Sequence, residues 1–237
     1  MKKGLIALIT MALFSIAILS VNAGPRKLNV FIAKGQKAVS ILDDSEYQNV
    51  FKSIFAGHSL TLDLTSNKSS FLSNFFSANL VYLSLHSNPN VWVVGNGDRV
   101  ETTDLIRAYR TAGKGPALVI VTGCSTVQLE SKVNFPGSIG IQPSARKRAY
   151  IGYRTFTPGL FSDRYFRVFI AQWMKQKPDG SYRTLLEAKA DAKAFIQRQL
   201  SLQGPQTGKI ARFAPIDQFV AGWFSIIGDS SLRVTDL

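Results

Sequence analysis

The sequence predicts an α/β domain built on a mainly parallel sheet with helices on both faces. Three observations lead there. Several short runs are apolar throughout instead of alternating, the pattern of strands buried on two faces. Each run stops at glycine or at polar turn residues. Between the runs lie segments with apolar residues at helical spacing, so that strand and helix take turns along the chain.

In order, Lys27 to Ala33 has the β-branched and aromatic content of a buried strand, and Lys34-Gly35 ends it. Asp43 and Asp44 offer caps for a helix with Tyr47, Val50, Phe51, Ile54 and Phe55 on one face, closed by Gly57. Ser59 to Thr65 alternates, with Leu60, Leu62 and Leu64 on one side, and reads as a strand. Ser69 to Ser77 reads as a second helix leading into the apolar run Asn79 to His86. Residues 87–90, SNPN, read as a loop, and VWVVGNGDR as a hairpin turning at Gly95 to Gly97. Thr102 or Thr103 caps a helix from Asp104 to about Thr111, and Gly113 to Pro116 hands over to the run Ala117 to Thr126. Glu130 to Lys147 is loop-rich, and Ala149 to Tyr153 is a further strand. A long amphipathic helix follows from Asp163 to Lys175, and a second, capped by Ser181 or Thr184, runs through Gln199. Ala211 to Asp217 reads as irregular, and Phe219 to Ile227 as strand-like.

Two lysines, Lys2 and Lys3, precede an apolar stretch from Leu5 to about Leu19, and Val21-Asn22-Ala23 satisfies the small-x-small rule, so residues 1–23 are expected to be a secretory signal peptide. Removal of the first 23 of 237 residues leaves 214, enough for one domain with a substantial core, 24–237. No later stretch suits a membrane span, and export to the periplasm or medium of a bacterium is the expected destination. Export also leaves 26 Lys+Arg against 15 Asp+Glu, about +11. This balance favours acidic partners, an acidic surface among them. The cations are scattered with no helical block that reads bases, so no specific nucleic acid is expected.

One cysteine, Cys124, cannot form an internal disulfide, and an exposed free thiol in an oxidising compartment is prone to oxidation. A core accepts such a thiol as a small hydrophobe. Its position suggests chemistry as well. In open α/β sheets ligands bind beyond the carboxyl ends of the strands. Cys124 follows one apolar run and His86 closes another. An imidazole that takes the thiol proton yields a thiolate able to attack a carbonyl. Gly123, Ser125 and Thr126 are small and leave the backbone accessible, so the amide of Cys124 is a candidate oxyanion donor. His58, just after Gly57, fits a loop or capping role. Asp98, Asp104 and Asp163 are each candidates to orient His86, and no spacing selects among them. Two separated histidines and one cysteine do not make a zinc site, and no cofactor is implied.

The segments LVYLSLHSN and LVIVTGCST resemble the two motifs of the caspase-like, clan CD cysteine peptidases, nearest to gingipain-like and CHAT-type members. In that family a histidine follows one parallel strand and the cysteine follows the next after a small residue. AYIGY with the Phe-rich helix after it, the Leu185 to Ala194 helix and the tail IIGDSSLRV extend the likeness over nearly all of 24–237. The resemblance implies a three-layer αβα sandwich and a peptidase working by a His86/Cys124 dyad on a peptide or protein substrate. It implies an oxyanion hole from the backbone amides of Ser87 and Cys124, and a substrate pocket near Arg146, Arg148 and Arg154 with a preference for acidic side chains. Two departures stand out. Ser87 occupies the place of the family's usual glycine, and Gly228-Asp229-Ser230 replaces Gly-Asp-Pro, a change expected to be structural. Ser87 and the charge keep open a second reading, a catalytically degenerate module that binds a protein or an acidic envelope component. A phosphate-binding α/β protein is disfavoured, because no glycine-rich strand-to-helix loop is present.

Overall fold

The computed structural model describes residues 26–35, 44–65, 67–127, 134–154, 159–202 and 224–237, and of 159–163 and 199–202 the backbone alone. The chain runs β1 (Asn29–Lys34), α1 (Asp44–Ile54), β2 (Ser59–Asp63), α2 (Lys68–Ser77), β3 (Leu80–Ser84), β4 (His86–Asn88), β5 (Val91–Val93), β6 (Arg99–Glu101), α3 (Thr102–Ala112) and β7 (Leu118–Val121). It continues with α4 (Phe135–Ser138), β8 (Ala149–Tyr153), α5 (Gly159–Met174), α6 (Leu185–Leu202), β9 (Phe224–Gly228) and a closing 3-10 turn, Val234–Asp236.

Six strands form one sheet in the order β2-β1-β3-β7-β8-β9. Every pairing is parallel except β8 with β9. The uninterrupted apolar runs follow from this topology, since β3, β7 and β8 are buried at every position. Successive side chains go to opposite faces. Val30, Ile32, Leu80, Tyr82, Leu118, Ile120 and Ile151 pack with Tyr47 and Phe51 of α1, Phe166 and Trp173 of α5 and Leu185 of α6. Phe31, Val81, Leu83, Val119, Val121 and Tyr150 pack with Phe71 and Phe75 of α2, Leu105 of α3 and Phe135 of α4. Helix, sheet and helix make the expected three-layer αβα sandwich.

Three local readings are revised and one open choice is decided. Residues 87–90 are not all loop: Ser87 and Asn88 belong to β4, and only Pro89-Asn90 turns the chain into β5. With β6 these strands form a second, antiparallel sheet that leaves the main one at its carboxyl edge. Glu101, not Thr102 or Thr103, caps α3, and the Asp104 carboxylate accepts its amide at 2.9 Å. The region around Pro136 contains the short helix α4. Thr184 caps α6 through a reciprocal pair: Thr184 N–H donates to Glu187 at 2.7 Å and Glu187 N–H to Thr184 Oγ1 at 3.1 Å. Residues 1–23, Asp43, residues 130–133, Ala211 to Asp217 and 219–223 lie outside the described residues, as does the side chain of Asp163. No helix among the described residues is long and apolar enough to cross a membrane.

At the tail, Gly228 takes φ 91°, and a Cβ there would also collide with the Arg148 carbonyl oxygen, so the position calls for glycine on both counts. Asp229 then accepts from the amides of Lys147 and Ser231, both at 2.9 Å, and fastens the turn to the strand beside it.

Candidate active site

Strands β3 and β7 are neighbours, in register from Leu80↔Leu118 to Leu83↔Val121. The pairing continues past the strand ends, where Thr122 N–H donates to the Leu83 carbonyl at 2.7 Å. His86 and Cys124 therefore leave adjacent strands at the same edge of the sheet, His86 exposed and Cys124 half-buried.

Two sets of bonds fix the loop that carries Cys124. On the β3 side, the Ser87 hydroxyl donates to the Cys124 carbonyl at 2.6 Å. On the β8 side, Tyr153 N–H donates to Thr126 Oγ1 at 3.1 Å and Val127 N–H to the Tyr153 carbonyl at 2.9 Å. Gly123 is required by close approach: a Cβ would stand far inside contact distance of Ser87 Oγ, 3.0 Å from the Leu85 carbonyl oxygen and 3.1 Å from Ser87 Cβ. Cys124 and Ser125 form the corners of a tight turn, and Ser125 takes φ 52°. A left-handed serine costs of order 1–2 kcal/mol. It is also what a turn needs when the peptide between its two corner residues is flipped relative to the common form.

The histidine side is held by the hairpin. In its register, His86 faces Val93, Ser87 faces Trp92 and Asn88 faces Val91. A two-residue turn makes Asn88 and Val91 the hydrogen-bonded pair, so by alternation the Ser87 amide points away from β5. Trp92, fully buried, stacks on Phe135 with ring centroids 4.4 Å apart and an interplanar angle of 12°, and meets Phe71 and Phe75 edge-on or tilted. This aromatic group anchors the hairpin on the α2–α4 face of the sheet.

Two of the carboxylates considered for His86, Asp98 and Asp104, are engaged with α2 and α3. Asp98 accepts the Lys68 backbone amide at 2.9 Å, and this bond, with a further one from Asn96, holds its carboxyl below the usual range. Burial raises Asp104, but the amide of Glu101 and the ammonium of Lys68, 2.9 Å away, outweigh it and leave the carboxyl lowered. Both join α2 to the base of the hairpin and α3.

His58 lies at the opposite, amino edge, where Nδ1 accepts the Leu28 amide at 3.1 Å at the entry to β1. Burial lowers its pKa. It is a loop residue of structural use, as its place after Gly57 suggested.

The three arginines divide. Arg146 and Arg148 precede β8 at the amino edge, since Ala149 pairs with Leu118, the first residue of β7. The Arg148 guanidinium is spent on backbone carbonyls, Pro116 at 3.2 Å, Gly140 at 3.1 Å and Ile139 at 2.8 Å, and lies over the Tyr109 ring. The structure thus does not bring Arg146 or Arg148 together with Cys124. Arg154, exposed, follows the carboxyl end of β8 and is the arginine of the three that lies at the cysteine edge. Among the described residues no group of His, Cys, Asp and Glu is placed to hold a metal ion.

The contact that sequence reasoning missed is Ser87 with Gly123. The signal was present in the departure from glycine at 87, but the partner of a substituted side chain is not encoded in spacing.

A parallel sheet between two helical layers, with a histidine hairpin and a cysteine loop leaving adjacent central strands, is the caspase-like fold of the clan CD cysteine peptidases. Among solved structures, the chain is similar to the Arg-specific cysteine proteinase gingipain R, with 15% identity, a TM-score of 0.60, and coverage of 87% of this chain and 48% of that one. It is similar to the complex of the pro- and mature domains of RgpB from Porphyromonas gingivalis, with 14% identity, a TM-score of 0.59, and coverage of 87% and 48%. This chain spans about half the length of both. Caspase-1 from Spodoptera frugiperda aligns at 14% identity over 86% of this chain and 85% of that one, with a TM-score of 0.40. No family model and no curated protein matches the sequence. At these identities the likeness is one of fold.

Proposed function

We propose that the chain is an exported bacterial cysteine peptidase that hydrolyses peptide bonds with His86 and Cys124. The observation that carries this reading is the delivery of both residues to one edge by adjacent strands, joined there by the Ser87–Cys124 hydrogen bond. In the reaction, His86 takes the proton from the Cys124 thiol and the thiolate forms a bond to the scissile carbonyl carbon. In this reading the amides of Cys124 and Ser87 receive the negative oxygen. The amine leaves with the proton held by His86, and water, deprotonated by the same imidazole, hydrolyses the thioester and regenerates the thiol. Arg154 at the same edge supports a preference for acidic side chains in a peptide or protein substrate.

Cleavage of casein or a peptide library is expected to vanish in Cys124→Ala and to fall at least about a hundredfold in His86→Ala, the scale of lost general-base catalysis. Iodoacetamide should modify Cys124 rapidly in the folded protein, and His86→Ala should slow that modification sharply. Unchanged hydrolysis in Cys124→Ala would remove the proposal. The Ser87 side chain packed against Gly123 favours a second reading, a degenerate module that binds an acidic surface. Inertness of the folded protein toward both casein and iodoacetamide would select it.

A further inference from the structure

We infer that the Ser87 hydroxyl is a positioning group for the nucleophile, fixing the peptide plane between Cys124 and Ser125. Three independent features converge on that plane. Ser87 Oγ–H donates to the Cys124 carbonyl at 2.6 Å. Ser125, on the far side of that peptide, sits at φ 52°, a strained left-handed conformation for a serine. Gly123 lacks the Cβ that would push Ser87 away. A strained corner of this kind persists where its surroundings hold it, and a hydrogen bond to the carbonyl of the peptide before Ser125 does so. The hydroxyl is the holder. Because the carbonyl and the next amide of a trans peptide point in opposite directions, holding the Cys124 carbonyl toward β4 turns the Ser125 N–H away from it and sets the orientation of the Cys124 corner.

The residue that departs from the family's glycine thus couples the histidine strand to the cysteine turn. Ser87 follows His86 directly and bonds to Cys124 directly, so this hydrogen bond ties the two loops together beyond the strand pairing that ends at Thr122. It is a short one between neutral groups, half-shielded from water.

This inference deepens the peptidase reading and rests on it for its catalytic consequence, but its geometric content is testable by thiol reactivity alone. The experiment compares wild type, Ser87→Ala and Ser87→Thr in the full exported chain. Second-order rates of Cys124 alkylation by iodoacetamide are taken from pH 5 to 9, together with kcat and KM on a peptide found to be cleaved. Ser87→Ala is expected to lower kcat at least about tenfold with KM within about twofold, and to lower the alkylation rate of Cys124 severalfold across the pH range. Ser87→Thr, which restores a hydroxyl, is expected to recover most of the loss in both readouts.

A folded Ser87→Ala protein with a wild-type alkylation profile and kcat overturns the inference and leaves the peptidase reading standing. So does Ser87→Thr that folds yet reacts like Ser87→Ala. A melting temperature lowered in Ser87→Ala with unchanged reactivity also overturns it, since that is a structural role only. Should wild type cleave no peptide, the peptidase reading fails and the alkylation profiles still decide the placement of Cys124. Should Ser87→Ala fail to fold, the Ser87→Thr profile decides, recovery supporting the inference and loss refuting it.

Discussion

Replacing Gly123 with alanine places a methyl group where the cysteine loop and the histidine hairpin touch, and the cost can be worked from the contacts there. The new Cβ would lie 3.0 Å from the Leu85 carbonyl oxygen and 3.1 Å from Ser87 Cβ, with Ser87 Oγ closer than either. The hydroxyl can rotate away, at the loss of its bond to the Cys124 carbonyl, about 1 kcal/mol. The other two contacts belong to the backbone and to Cβ of a paired strand and cannot rotate, and such overpacking costs about 1–3 kcal/mol. Reduced freedom of the unfolded chain returns about 0.4–1 kcal/mol. The net expectation is destabilisation of about 1–4 kcal/mol. Ser87→Gly in the same chain removes the Oγ and Cβ contacts and leaves only Leu85, so the double variant should recover about 1–2 kcal/mol relative to the sum of the singles. Urea unfolding of wild type, both single variants and the double variant, followed by fluorescence at constant m, measures the coupling. Additivity within about 0.5 kcal/mol would refute the claim that these two residues share one space.

Three further outcomes follow from other parts of the molecule. Trp92→Ala should cost about 3–5 kcal/mol, since it empties the stack with Phe135 that holds the hairpin; urea midpoints check this, and Trp92→Phe should lose less. Arg148→Met should cost about 2–3 kcal/mol by stranding three backbone carbonyls, while substrate preference and the Cys124 alkylation profile stay as in wild type. For His58, burial lowers the folded pKa, so the unfolded chain binds the extra proton first as the solution is acidified. Stability is therefore full above the unfolded value of about 6.5 and declines as pH falls below it. The urea midpoint should drop between pH 7.5 and 5.5 in wild type and much less in His58→Gln.

The layered fold was legible because burial on two faces leaves a plain mark. Strands β3, β7 and β8 are apolar at nearly every position, and helices between them show one apolar side. The placement of His86 and Cys124 at one edge was legible for the same reason, as each follows such a run. The hairpin was harder. Strands β4, β5 and β6 have three residues each, too few for periodicity, and Pro89-Asn90 spreads a turn signal over its neighbours. Arg146 and Arg148 were misplaced because sequence order puts them after Cys124, whereas a parallel crossover returns the chain to the far edge before β8 begins. The use of Ser87 lay beyond reach for a different cause: its partner is a carbonyl 37 positions away.

The central position of the two site-bearing strands has a consequence for how the protein is made and lost. β3 and β7 are third and fourth of six across the sheet, joined by a 33-residue excursion through the hairpin and α3. Contacts of such separation close late and slowly, after the loop entropy between them has been met. Nor can fraying at the sheet's margins pull His86 from Cys124, since neither strand is an edge. Amides of β3 and β7 should exchange with solvent only through the global opening, so heat removes the site together with the fold rather than ahead of it.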